Sequence, residues 1–153
     1  MKVNVTGIKV NMKPVITILN RLGVTPEGDV QAHVTKIVAH RMTRYMPIRS
    51  GVLANDKKQI KSPTEILVDG PYAHYQYEGV VWVDPVTHAA GFLTANGWRS
   101  RRGVPKVQTS RPLDYDRSKN PEAGPHWDRR LMAAEGEAIA ADVQDYIDKR
   151  RRP

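Results

Sequence analysis

The chain has 153 residues, 40% of them apolar, and 24 Lys and Arg against 16 Asp and Glu give it a formal charge of +8; that length supports one domain with a modest core. Cysteine is absent, which excludes disulfide staples, thiolate zinc sites and a Cys nucleophile. No apolar stretch approaches the ~18 residues of a membrane span, and the opening MKVNVTGIKV lacks the apolar core of a signal peptide, so a soluble protein made in the cytoplasm is expected.

Val3, Val5, Ile8 and Val10 alternate with polar residues around Gly7, the pattern of a half-buried strand with a kink. Pro14 suits the first turn of a short helix through Val15, Ile16, Ile18 and Leu19, stopped by Gly23 and Pro26. A second helix is predicted from Gly28 or Asp29, with Asp29 as its cap, and it places Val30, Val34, Ile37, Val38, Met42 and Tyr45 on one stripe before Pro47 ends it. Lys57–Ile60 and Ile66–Asp69 read as a hairpin with a turn longer than two residues. Pro71 opens a short helix carrying Tyr72, Tyr75 and Gln76 to a stop at Gly79, and Val80–Val83 reads as a strand.

From Asp84 to Pro125 the periodicity dissolves into Gly, Pro, Arg, Ser and Thr. About 40 residues is too long for an ordinary connection, which leaves a functional extended hairpin or a segment that orders on binding. After Gly124-Pro125 a last helix places Leu131, Ala134, Ala138, Ile139, Val143, Tyr146 and Ile147 at helical spacing, with Lys149 to Arg152 at its C-terminal end, where cations suit the helix dipole.

The positive charge is focal. Residues 98–119 hold seven bases (Arg99, Arg101, Arg102, Lys106, Arg111, Arg117 and Lys119) against Asp114 and Asp116, and residues 149–152 add four more, so the rest of the chain is nearly neutral. Such a patch suits a phosphate backbone or an acidic protein surface; a solvated loop and a frayed terminus give the same pattern. Trp98 beside Arg99, Arg101 and Arg102 forms an aromatic and guanidinium set able to stack and grip, or simply one packed Trp at the root of a loop.

Catalytic and metal-binding patterns are missing: there is no Gly-rich phosphate loop, His-Glu zinc helix, calcium loop or nucleophile elbow. His33 and His40 lie two helical turns apart, too far to share a metal. His74 with Glu78 reads as a surface pair, and Asp114 with Asp116 as solvated carboxylates. Tyr72, Tyr75, Tyr77 and Trp82 form a dense aromatic group with no Lys or Arg between 62 and 98, which favours a core or interprotomer use over base stacking. No catalytic, cofactor-binding or metal-binding residue is assigned, and no enzyme activity is expected.

Four blocks, in order, resemble one known family. They are Tyr45-Met46-Pro47-Ile48-Arg49-Ser50-Gly51-Val52-Leu53 after a long helix, Gly70-Pro71-Tyr72-Ala73-His74-Tyr75-Gln76-Tyr77-Glu78-Gly79, Thr109-Ser110-Arg111-Pro112-Leu113-Asp114-Tyr115, and Gly124-Pro125-His126-Trp127 opening the last helix. The chain resembles, over most of residues 28–140, the minor capsid or tail-completion proteins that join head to tail in long-tailed double-stranded DNA phages. Arg49-Ser50 departs from that family, which often has an acidic or small residue followed by Thr or Asp.

The resemblance implies a single α+β head-tail connector domain over 1–153, with an N-terminal pair of helices and a long C-terminal helix packed on a small antiparallel sheet. A loop insertion at about 84–124, an extended loop or hairpin, and a basic tail at 149–153 complete it. It implies a structural virion protein of the neck, a six-fold ring of identical copies meeting adjacent connector and tail proteins, with double-stranded DNA in the channel and no membrane contact. In this chain the motif residues Pro47, Ser50, Gly51, Leu53, Pro71, Tyr72, Ala73, Tyr75, Gln76, Tyr77, His126 and Trp127 would set shape and contact. Pro47 stops a helix, Gly51 permits a turn closed to β-branched residues, and Leu53 returns the chain to the core. Trp98, Arg99, Arg101, Arg102, Lys106 and Arg111 would meet protein or DNA. The competing expectation is a monomeric nucleic-acid-binding protein using the same Arg-rich loop and the basic tail.

Overall fold

The computed structural model describes residues 20–48, 50–70 and 72–151, with Trp98 and Arg151 defined by backbone alone. The strand expected over 3–10, the start of the first helix, Pro71 and the end of the basic tail lie outside the described residues; Asn20–Leu22 are helical and Gly23 comes next, in a turn. The fold is α+β. Helix α1 (Asp29–Met42) runs into a 3-10 turn (Thr43–Tyr45) and a π-turn (Val52–Asp56); then come β1 (Lys58–Ser62), β2 (Glu65–Val68), α2 (Ala73–Glu78), β3 (Val80–Val83), β4 (Phe92–Thr94), β5 (Gly97–Arg99), β6 (Val107–Pro112) and α3 (Trp127–Arg151). The strands form three antiparallel pairs, β1–β2, β3–β6 and β4–β5.

The core lies between α1 and α3, which run antiparallel. Met42, Tyr45, Met46, Ala54, Trp127, Leu131 and Ile139 are buried together, with Ile37, Val38, Leu53, Ile66, Val68, Tyr77 and Val143 packed around them. The apolar face of α3 therefore takes a four-residue step through Trp127, Leu131, Ile139 and Val143, and the position that completes it is Glu135. Ala134 and Ala138, expected on this face, are exposed; at 100° per residue they fall to one side of it. Glu135, with only 11% of its side chain exposed, takes Arg41 Nη1 at 2.6 Å and Arg44 Nη1 at 3.0 Å, and Tyr45 Oη donates to it at 2.8 Å. Arg41 reaches on to Asp142 at 2.6 Å.

Towards the other end of the pair His33 stacks on Tyr146, centroids 3.9 Å apart, and Arg150 pairs with Asp29. Asp29 is thus the first helical residue and an ion-pair partner, not the cap; Gly28 holds the N-cap position without a side-chain bond. The guanidinium of Arg150 holds the Asp29 carboxyl below its ordinary range.

The β1–β2 hairpin pairs Ser62 with Glu65, so its loop is the two residues Pro63 and Thr64 with a bulge between Ile60 and Ser62, shorter than the sequence suggests. Gln31 Nε2 and Thr35 Oγ1 both donate to the Pro63 carbonyl, and Lys58 Nζ donates to the Ala39 carbonyl near the end of α1. Burial there pushes the Lys58 amine below its ordinary value. The aperiodic stretch after Asp84 resolves into the β4–β5 hairpin and β6, which returns to pair with β3 in the register Val83↔Val107, Trp82↔Gln108 and Val80↔Pro112.

The Arg41 and Tyr45 bonds hold the Glu135 carboxyl below the ordinary range, so on acidification the unfolded chain takes up this proton first. Stability from the cluster is full above the unfolded value of about 4.3 and is lost as pH falls through the lower folded value. Urea unfolding should therefore find Glu135→Gln less stable than the native chain at neutral pH, with the difference narrowing below about pH 4.

Candidate interaction surface

The blocks that carry the family resemblance, far apart in sequence, meet around α2. Tyr77 turns its ring inward, edge-on to His126 at 4.9 Å and Trp127 at 5.0 Å. Its hydroxyl donates to Asp128 at 2.9 Å, and its carbonyl accepts from the His126 amide at 2.9 Å. Burial is the larger cause that raises the Tyr77 phenol above its ordinary pKa, the Asp128 bond the second. Tyr115 Oη donates to the Gln76 carbonyl at 2.5 Å, and burial pushes that phenol up to about 12. The Leu113 amide donates to the Gly79 carbonyl at 2.9 Å.

Gly79 closes α2 with φ 74°, and a Cβ there would lie 2.4 Å from Pro125 Cβ. Only glycine meets both demands, the left-handed turn and the close approach. The first block is tied in by the buried Asn120, whose Nδ2 donates to the carbonyls of Thr43 at 2.8 Å and Met46 at 2.7 Å. The Gly124 amide also donates to the Tyr45 carbonyl at 3.2 Å.

On its outward side α2 borders a cleft of about 470 Å³ lined by Pro47, Ser50, Gly51, Val52, Leu53, Lys57, Gly70, Tyr72 and Gln76. Gly51, at φ 85°, makes the left-handed turn that starts the π-turn and swings Val52 and Leu53 to the cleft wall. Tyr72 is 56% exposed and Val52 42%, so the wall offers unburied apolar surface. Five of the motif residues thus share one cleft with Gln76, whereas Ala73, the first residue of α2, is buried and Tyr75 packs against Trp82 instead. The Tyr75 ring lies 5.6 Å from Trp82, and His74 is edge-on to Trp82 at 5.2 Å. Lys106, distant in sequence, places Nζ 5.4 Å from the Tyr75 centroid, supplying the cation that the local sequence around the aromatic group lacks.

The basic loop is not one free patch. Arg101 Nε and Nη2 donate to Asp84 at 2.6 and 2.8 Å, while the Val86 and Thr87 amides donate to the same carboxylate. The guanidinium holds the Asp84 carboxyl far below the usual carboxylate range. Lys106 Nζ donates to the Ala90 carbonyl at 2.6 Å. Arg99 is exposed on the hairpin arm and Arg102 in the turn that follows it; Arg111 sits four residues along β6 from the arm's base, roughly 13 Å away at strand spacing. The Trp98 side chain lies outside the described residues.

Sequence reasoning alone does not single out Phe92 and Leu93, which the hairpin leaves exposed. The pair Asn96-Gly97 between short apolar runs is the signal that could have found them: Thr94 pairs with Gly97, and Gly97 has φ 93°. Among the described residues no three His, Asp or Glu side chains group as a metal site, and no helix is long and apolar enough to cross a membrane. No protein-family model, curated protein or solved structure matches the chain.

Replacing Gly79 by Ala forces both a strained φ and a clash with Pro125, and should lower unfolding free energy by more than about 1 kcal/mol in a urea titration.

Proposed function

We propose that this chain is a structural component of a phage neck, a minor capsid or tail-completion protein that assembles as a ring joining the head connector to the tail. One observation carries the reading. The four blocks that resemble that family, spread from Tyr45 to Trp127, meet at α2, and their bonds run through backbone groups and packed rings. Pro47, Ser50, Gly51, Leu53, Tyr72 and Gln76 shape a cleft, while Tyr77, His126 and Trp127 lock the short helix to α3. Such an arrangement specifies contact surfaces, which suits assembly.

In this reading the partners are copies of the same chain and the adjacent connector and tail proteins, with double-stranded DNA passing through the ring. The competing use, monomeric binding to nucleic acid through the Arg-rich loop, draws less support, because Arg101 and Lys106 are engaged within the fold. Phosphate binding relies on cations free to release counterions. Sedimentation over a range of protein concentrations, with and without a DNA duplex, tests the two. Reversible association to a closed multimer whose mass is independent of DNA is expected; a chain that stays monomeric and binds duplex with steep salt dependence would overturn the proposal.

A further inference from the structure

We propose that the chain's own N-terminal segment, which lies outside the described residues, docks on the outer edge of β2 through residues 8–10 and places Ile8 and Val10 in a groove on the core. The proposal does not depend on the ring reading. Among the described residues β2 has β1 as its one strand neighbour, so every second amide and carbonyl along its outer edge lacks a ladder partner there. Glu65-Ile66-Leu67-Val68 is the kind of apolar edge that folded proteins cover.

The groove beside that edge is apolar. Val38 and Met42 of α1, Ile66 and Val68 of β2, Tyr77 of α2 and Trp127 of α3 line most of its roughly 410 Å³. Its polar members are already engaged, His74 edge-on to Trp82 and Asp128 with the Tyr77 hydroxyl. Met42 and Trp127 belong to the buried core, while Ile66 and Val68 are only half-buried, so side chains entering here would extend that core. The hollow on the β1 side differs in character: His40, Thr43, Asn55 and Lys58 line it beside Ile60. An apolar segment therefore suits the β2 edge.

Chain position selects the protein's own N-terminus as the occupant. The described chain begins at Asn20, whose carbonyl accepts from the Gly23 amide, and the Gly23 carbonyl accepts from Val30 in the first turn of α1. Gln31 and Thr35 hold the Pro63 carbonyl of the hairpin loop against the same end of α1. Asn20 and the start of β2 are thus near one another, and residues 11–19 can span up to about 30 Å. So short a tether raises the local concentration of the segment to about the millimolar range, against which a segment from a second copy competes poorly.

Direction and phase also fit. β1 starts at Lys58, bonded to Ala39 near the end of α1, so β2 runs from the start of α1 towards its end. A segment tied at the start of α1 by its C-terminal side runs the other way by the shortest path, which makes the pairing antiparallel. Ile8 and Val10 share one face, as Ile66 and Val68 do, and Lys9 falls on the opposite face with the exposed Leu67. Val3 and Val5 are out of phase with them across Gly7 and would need a bulge there to join the same face.

Amide hydrogen exchange of the full chain, read residue by residue by NMR, tests the docking. A two-stranded hairpin protects every second amide of β2, whereas strands on both sides protect consecutive amides from Ile66 to Val68. Consecutive protection is expected in the native chain at every protein concentration. Ile8→Gln and Val10→Gln should each speed exchange of the outward set at least about tenfold, with α1 amides as the control for folding, and Lys9→Gln should leave that set unchanged. The native chain alone shows whether both sets are protected, so a variant that fails to fold does not remove the test. Outward amides that exchange freely in the native chain, that stay protected in both folded variants, or that respond equally to Lys9→Gln overturn the docking. Protection that fades on dilution assigns the edge to a second copy and overturns it as well.

Discussion

A carboxylate on the apolar face of the last helix dictates how the two long helices meet. Glu135 takes the place that Leu131 and Ile139 predict for a hydrophobe, and a charge so placed is tolerable only where partners reach it. Arg41 near the end of α1, with Arg44 and Tyr45 in the 3-10 turn that follows it, provides them. Sliding one helix by a turn would take Glu135 away from at least one of these partners and part Arg41 from Asp142. The cluster therefore selects register more than it adds stability, and the pairs farther along, His33 with Tyr146 and Asp29 with Arg150, fall into place from it.

That register also positions the chain beyond α1. Tyr45 anchors the 3-10 turn, so the carbonyls of Thr43, Tyr45 and Met46 point where Asn120 and Gly124 can bond them. A segment without regular structure thereby straps the end of α1 to the start of α3, satisfying carbonyls that a terminating helix leaves open. The same strap carries Leu113 and Tyr115 to α2. The six-residue α2 is too short to persist alone; its position derives from these bonds and from Tyr77 packed on Trp127. The cleft and the motif residues around it are thus downstream of a helix pairing several elements away.

Much of this is legible in the sequence wherever one periodicity governs one element. The start of α1, the course of α2 and β3 and the long last helix come from glycine stops, prolines and apolar spacing, and the α+β class comes with them; the cap assigned to Asp29 does not. The face of α3 is misread from periodicity because alanines count as apolar and a glutamate does not. Ala134 and Ala138 read as core, and Glu135 goes unnoticed, because Arg41, Arg44 and Tyr45, which make its position tolerable, lie about 90 residues away in the chain. Strand β6, Val107–Pro112, has a single inward residue, Thr109, whose hydroxyl donates to the Val81 carbonyl; its identity as a strand resides in β3, not in its own pattern. Ion pairs such as Asp84 with Arg101 join positions 17 apart through a fold that local rules do not encode, which is why a cluster of seven bases overstates the free charge of the loop. The cleft is only half legible: its residues stand in two sequence blocks, and nothing local says that the blocks share a wall.

The distribution of order bears on how the proposed ring would form. Deep burial and dense bonding concentrate at the α1–α3 junction and its strap, whereas the cleft and the hairpin tip sit outside that core with exposed apolar residues. A small contact between two copies is weak for one pair of free monomers, which must give up translational and rotational freedom to form it. In a closed ring each copy makes the contact twice, and the last copy to enter gains two contacts for one loss of freedom. A docking platform with matching symmetry would strengthen this further by presenting all the copies at high effective concentration. Weak individual contacts then become an advantage. They disfavour open head-to-tail filaments, the hazard of any heterologous interface, and leave the closed ring as the associated form.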